Sequence, residues 1–224
     1  MERHHFEDEL QQLKNRLLHM GALVEDRVHR AIGALVERRI DAAQAVITGD
    51  REVNELHIEL DDRCLKLLAL QQPMAKDLRL ITSAIKINSD LERIGDQAVN
   101  IAQNAIKVSQ QPPLRPILDI PRMAEIAQKM IRDSLDAFVR RDVVLARSVL
   151  ERDDSVDQLK DQTFRVLLTY MMSDPGTIER ALSLILVSRN IERIADHATN
   201  IAEDVIFMVE ARDVRHGHEE VAPR

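Results

Sequence analysis

Apolar side chains recur every three or four positions through most of this chain, and only a few turns interrupt them. Leu10, Leu13, Leu17, Met20, Val24, Val28, Ala31 and Leu35 form one such stripe, the mark of a helix with a single buried face. The pattern predicts a first helix from about Phe6 to Val46, closed by Thr48-Gly49-Asp50 with Gly49 as its C-cap. A second segment runs from about Glu52 to Leu70 and stops before Pro73; a third runs from near Asp77 to about Val108. Pro112, Pro113 and Pro116 lie too close together for any helix interior, so the stretch around them is a stiff extended connector. Asp119 reads as the next N-cap, with Pro121 in the first turn, where a missing N–H does no harm. The fourth segment continues to about Leu150, the fifth spans Ser155 to Met172, and the sixth follows the Ser173–Gly176 turn and runs from Thr177 to about Ala211.

The second half of this pattern repeats the first. Residues 92–106 (ERIGDQAVNIAQNAI) and 192–206 (ERIADHATNIAEDVI) share nine of fifteen positions at an offset of 100. Upstream the correspondence continues at an offset of 103, where Val53, Leu56 and Leu65 match Val156, Leu159 and Leu168. The change of offset falls at the turn before the third helix of each copy, where insertions cost little. The expected fold is therefore all-α: six long helices forming two tandem, pseudo-symmetric three-helix bundles produced by internal duplication. The first bundle occupies 1–110, a proline-rich connector 111–118, the second bundle 119–215, and a charged tail 216–224.

Composition narrows the function classes. Aromatics are 2% of the chain and the formal net charge is −7, which leaves neither stacking platforms nor a phosphate-attracting surface, so nucleic acid is not an expected partner. No apolar run is long enough to span a bilayer, and the charged N-terminus is no signal peptide, so the protein is expected in the cytoplasm, meeting membranes only through partners. Cys64, the single cysteine, sits among Leu65, Leu67 and Leu68 and reads as a small buried hydrophobe. Met20, Met123, Met130, Met171, Met172 and Met208 are expected in the core for the same reason. There is no glycine-rich phosphate loop and no Cys-x-x-Cys, and no enzyme activity is expected.

The repeated motif carries the candidate chemistry. It places Glu92 one turn from Asp96, and Glu192 one turn from Asp196, each pair at the border of the buried arc of its helix. Like charges at that spacing repel, so something must compensate. One answer is an arginine ion pair; the other is a divalent metal held by carboxylates from neighbouring helices. Partner ligands would come from the second helix of each copy, where Asp157 and Asp161 are four apart, as are His57 and Asp61, although these two pairs do not align under the 103 offset.

Gln72-Pro73-Met74-Ala75-Lys76-Asp77-Leu78-Arg79 before a long helix, then ERIGD and ERIAD one hundred residues apart, resembles the PhoU family of phosphate-signalling regulators. Leu167-Leu168-Thr169-Tyr170-Met171-Met172 is also similar to the family pattern, and the likeness covers about residues 8–216. The resemblance implies a regulator that represses phosphate-starvation genes when phosphate is plentiful. It implies contact with the ATPase subunit of the phosphate-specific ABC transporter and with the phosphate-sensing histidine kinase, and self-association as a homodimer. It also implies iron or zinc clusters on the carboxylate motifs, which makes Glu92, Asp96, Glu192 and Asp196 candidate ligands; His57 stands where the family often has an acid. Two other readings compete: a ferritin-like di-metal oxidase, disfavoured because Gly95 and Ala195 stand where Glu-x-x-His would need histidine, and a purely structural helical scaffold.

Overall fold

The computed structural model describes residues 2–114 and 119–214, with side chains from residue 5 onward. Residues 115–118 of the connector and the tail at 216–224, with His216 and His218, lie outside the described residues. The elements are α1 (Glu2–Glu37), α2 (Ile40–Thr48), α3 (Arg51–Gln71), α4 (Lys76–Ser109), α5 (Ile120–Arg140), α6 (Val143–Ser173), a single 3-10 turn (Pro175–Thr177) and α7 (Ile178–Glu210). Six of these helices are long, as the periodicity predicts; α2 is a short extra piece of nine residues. The α1 stripe from Leu10 to Leu35 is buried throughout. At roughly 1.5–3 kcal/mol for each large apolar side chain removed from water, such stripes supply most of the drive to fold.

The breaks differ from those the pattern predicts, and the duplication explains how. The first and fourth segments do not run through to Val46 and Leu150; each is cut short at an arginine with left-handed backbone, Arg38 (φ 58°) and its counterpart Arg141 (φ 54°). The expected interruption between Leu150 and Ser155 does not occur, because α6 continues through it. In the first copy Gly49 and Asp50 separate α2 from α3; in the second the matching residues are Arg152 and Asp153, and the two pieces fuse into α6. Glycine destabilises a helix interior by about 1 kcal/mol relative to ordinary residues, so Gly49 favours the break that Arg152 does not. The entry into α6 is fixed by Asp142, whose carboxylate accepts a hydrogen bond from the Leu145 N–H at 3.0 Å. Asp142→Ala is expected to cost about 1 kcal/mol in urea denaturation; an unchanged midpoint would show that the cap contributes nothing.

Helices α1 and α3 flank α4, and α5 and α6 flank α7, so each copy is a three-helix bundle. The bundles are joined through α4 and α7, the most extensive helix pair, with α1 also meeting α5. Arg79 donates to the Met208 carbonyl, Ser83 to the Asp204 carbonyl at 3.2 Å, and Lys86 to the Asp204 carboxylate at 2.9 Å, which sets α4 and α7 antiparallel. Alanines 98, 102, 195, 198 and 202 are fully buried in these helices; small side chains of this kind allow close approach. Cys64 is buried, and burial pushes its thiol up to about 12, which leaves it unreactive. Among the methionines expected in the core, Met20, Met123, Met130 and Met208 are buried and Met171 is partly so, but Met172 is 80% exposed. It lies in the last turn of α6, five residues past Leu167, the last fully buried side chain of that helix.

Candidate functional site

The repeated carboxylates lie where the third helix of each copy meets the second. In the second copy, α7 presents Glu192 and Asp196 toward α6, and α6 presents Asp153, Asp157 and Lys160. Lys160 spans the gap: its ammonium is 2.9 Å from Asp157 Oδ1, 3.2 Å from Glu192 Oε1 and 3.9 Å from Asp161 Oδ1. Hydrogen bonding to Asp157 and then to Glu192 raises the Lys160 pKa, so it is charged at any physiological pH. One ammonium does not balance the acids around it. Burial pushes the Asp196 carboxyl up to about 6, reinforced by Glu192, Asp153 and Asp157 and opposed by His197. Asp153 is raised in the same way, by burial first and then by Asp157.

The first copy resolves the same repulsion differently. Burial raises Asp96, Asp50 adds to the rise, and Arg93 opposes it. Asp50 is held by Arg27 at 2.9 Å and by the Asn54 amide at 2.9 Å, while Arg93 stands 3.7 Å from Glu92. His57 and Asp61 sit further along α3, 3.5 Å apart, and the Asn88 amide donates to both the His57 carbonyl and the Asp61 carboxylate. They form a separate polar knot and are not among the groups that perturb Asp96.

Of the residues predicted from sequence, Asp157, Glu192 and Asp196 come together, Glu92 and Asp96 share a face, and Asp161 reaches the second group only through Lys160. Asp50 and Asp153 are the partners that spacing within each helix missed. The duplication offset contains them: adding 103 maps Asp50 to Asp153, Asn54 to Asp157 and His57 to Lys160. A further contact joins the copies, since the His197 ring Nδ1 lies 2.8 Å from Asp90 of α4 and the Asn200 amide donates to the same oxygen. Arg93 and Arg193 then line a shallow cleft between the two faces, with Gln97 and Asn200.

Donor chemistry decides how these faces suit a metal. Asp153, Asp157, Glu192 and Asp196 offer oxygen only, and the carboxyls of Asp153 and Asp196 are raised first by burial and then by the neighbouring acids, a repulsion that a cation would relieve. Among the described residues, however, no three His, Cys, Asp or Glu side chains are already gathered around one point. Lys160 supplies the positive charge as the helices now stand.

Against known proteins, the family model described as the PhoU domain matches twice, over residues 17–105 and 120–205, one match to each bundle. The chain belongs to the PhoU family. A PhoU homolog of Aquifex aeolicus, named a phosphate-specific transport system accessory protein, is 43% identical over 210 residues, covering 94% of this chain and 95% of that one. The similarly named Pseudomonas aeruginosa homolog is also 43% identical, covering 94% of this chain and 88% of the relative. The crystal structure of PhoU from Pseudomonas aeruginosa superimposes with a TM-score of 0.90 at 41% identity, over 92% of this chain and all of that one. The phosphate transport system regulatory protein PhoU from Streptococcus pneumoniae gives a TM-score of 0.86 at 27% identity, over 93% and 99% of the two chains. The two matches leave residues 106–119 between them, which include the end of α4 and the stretch leading to α5.

Proposed function

We propose that this PhoU-family chain is an accessory regulator of a phosphate-specific transport system, repressing the phosphate-starvation response when phosphate is plentiful. The observation that carries the proposal is likeness along nearly the whole chain, both bundles included, to relatives named for that accessory role. In this reading it works by docking, without catalysing a reaction, on the ATPase subunit of the transporter and on the phosphate-sensing histidine kinase. No helix among the described residues is long and apolar enough to cross a membrane, so contact with the membrane-bound machinery would run through those partners. The oxidase alternative has no Glu-x-x-His on α4 or α7, where Gly95 and Ala195 follow Glu92 and Glu192 by three.

The carboxylate faces enter the proposal as the adjustable part. Asp153, Asp157, Glu192 and Asp196 would hold iron or zinc in the second copy, and Asp50, Glu92 and Asp96 in the first, with Lys160 and Arg27 withdrawn from the acids they now pair with. A bound ion would supply a positive charge that fastens the second and third helices of a bundle together. The test is alkaline phosphatase in phosphate-rich medium, in cells lacking the protein and complemented with wild type or with Glu92, Asp96, Glu192 and Asp196 all changed to alanine. Deletion is expected to raise the phosphatase and wild type to lower it again; phosphatase that stays low after deletion refutes the regulator. Repression restored by a folded quadruple variant would leave the acids structural.

A further inference from the structure

The two carboxylate faces are not equivalent, although duplication produced both. In the second copy four carboxylates, those of Asp153, Asp157, Glu192 and Asp196, face one ammonium, that of Lys160. In the first, Asn54 stands at the position of Asp157. The three acids that remain, Asp50, Glu92 and Asp96, meet two guanidiniums: Arg27 on Asp50, and Arg93 beside Glu92 and Asp96. His197 and Arg193 do not close the difference. The His197 ring is held by Asp90 of α4, and Arg193, which lines the neighbouring cleft, forms no ion pair among the described residues. The second face therefore keeps more uncompensated negative charge and attracts a cation more strongly.

The resident cations also differ in how readily they leave. Arg27 is buried on α1, where it pairs with Asp50 and donates to the Gly49 carbonyl at the break between α2 and α3. Withdrawing it leaves a carboxylate and a backbone acceptor with one weaker neutral donor each. The Lys160 ammonium bonds carboxylates alone, Asp157 on its own helix and Glu192 on α7, and 24% of its side chain is exposed. A lysine head so placed can swing into water while its stem stays on the helix surface. The ammonium holds the place between α6 and α7 that an ion touching both carboxylates would need, so the two exclude each other. The first copy has no such occupant. Its matching residue, His57, belongs to the knot with Asp61 and Asn88 and not to the acids around Asp96.

We propose that a divalent ion loads the second bundle before the first, and that Lys160 is the built-in competitor it must displace. This rests on the reading of the two faces as metal sites and adds their order and the residue that sets it. The probe is zinc alone, added to the metal-free full chain and followed by competition with a fluorescent chelator. Wild type is expected to bind one equivalent about tenfold or more tightly than the next. Asp157→Asn/Glu192→Gln should remove the tight equivalent, and Glu92→Gln/Asp96→Asn only the weak one. Lys160→Met should tighten the first equivalent about tenfold and leave the second where it was. Lys160→Arg, which keeps the charge, should not tighten it; Lys160→Gln serves if Lys160→Met misfolds. A tight equivalent that is lost with Glu92 and Asp96, or that survives both paired variants, overturns the proposal. So does zinc bound no more tightly once residue 160 is neutral. Two equal equivalents on the faces overturn the order and leave the metal reading standing, whereas no zinc on any of these chains overturns both. The phosphatase assay judges the regulator independently of either.

Discussion

Arg27→Met is expected to cost this protein about 2–3 kcal/mol, because it strips a charged donor from a carboxylate and a backbone carbonyl that keep only one weaker neutral donor each, the Asn54 amide and the Glu52 N–H. Arg27 lies on α1 with 8% of its side chain exposed, donates to the Asp50 carboxylate at 2.9 Å, and also bonds the Gly49 carbonyl. Burial lowers its pKa while Asp50 opposes the fall, and the guanidinium stays charged. The site exists because α2 and α3 are interrupted at Gly49 and Asp50, which leaves backbone and carboxylate to be satisfied. In the second copy the helix is unbroken and the position matching Arg27 is Met130, fully buried. Methionine therefore suits the continuous version of this bundle and not the interrupted one. Urea denaturation measures the loss. Arg27→Met/Asp50→Ala should recover part of it, since the abandoned carboxylate is then gone. A cost below roughly 0.5 kcal/mol would mean that water replaces the arginine at no penalty.

That comparison also marks what could be read without coordinates. The 3.6-residue periodicity exposed α1, α4 and α7, because each buries one continuous stripe, and the ERI-Gly/Ala-Asp repeat exposed the duplication. Helix breaks were less legible. Arg38 and Arg141 adopt left-handed backbone although arginine does not favour it, and the Arg38 guanidinium donates to the Val108 and Ser109 carbonyls at the end of α4, a contact between distant segments that no local pattern reveals. The candidate site was half legible. Glu92, Asp96, Glu192 and Asp196 declared themselves by repetition at one-turn spacing. Asp50 lies in the turn before α3 and Asp153 on α6, and nothing in their local pattern separates them from solvated acids. Aligning the copies, rather than seeking one-turn pairs inside each helix, brings out Asp50 with Asp153 and sets His57 against Lys160. The His197–Asp90 contact across α4 and α7 was invisible for a simpler reason. It depends on how the two bundles meet, and the internal repeat constrains each bundle without specifying their pairing.

Lys160→Met in metal-free protein is expected to destabilise the second bundle by about 1–2 kcal/mol at pH 8, and by much less near pH 4. The direction follows from Asp196. Its carboxyl is raised from an ordinary 3.8 to about 6 by burial and by Glu192, Asp153 and Asp157. Between those values the folded chain binds the proton more tightly than the unfolded one, so stability declines as pH rises through the window and stays reduced above it. Water reaches Asp196, so screening keeps this single contribution near ~1 kcal/mol or below. Lys160 acts with the opposite timing. Its raised pKa makes its contribution constant through neutral pH, to be lost only under strongly alkaline conditions. Removing the ammonium leaves Asp157 and Glu192 unbalanced, strengthens the repulsion on Asp196 and moves its titration upward. The penalty must therefore grow from acid to neutral pH. Asp196→Asn should stabilise wild type slightly at pH 8 and rescue Lys160→Met by more, a coupling that a double-mutant cycle reads directly. Equal destabilisation at pH 4 and pH 8, with no coupling to Asp196, would assign Lys160 to packing through its aliphatic stem and remove charge balance as the reason these helices tolerate four acids at one seam.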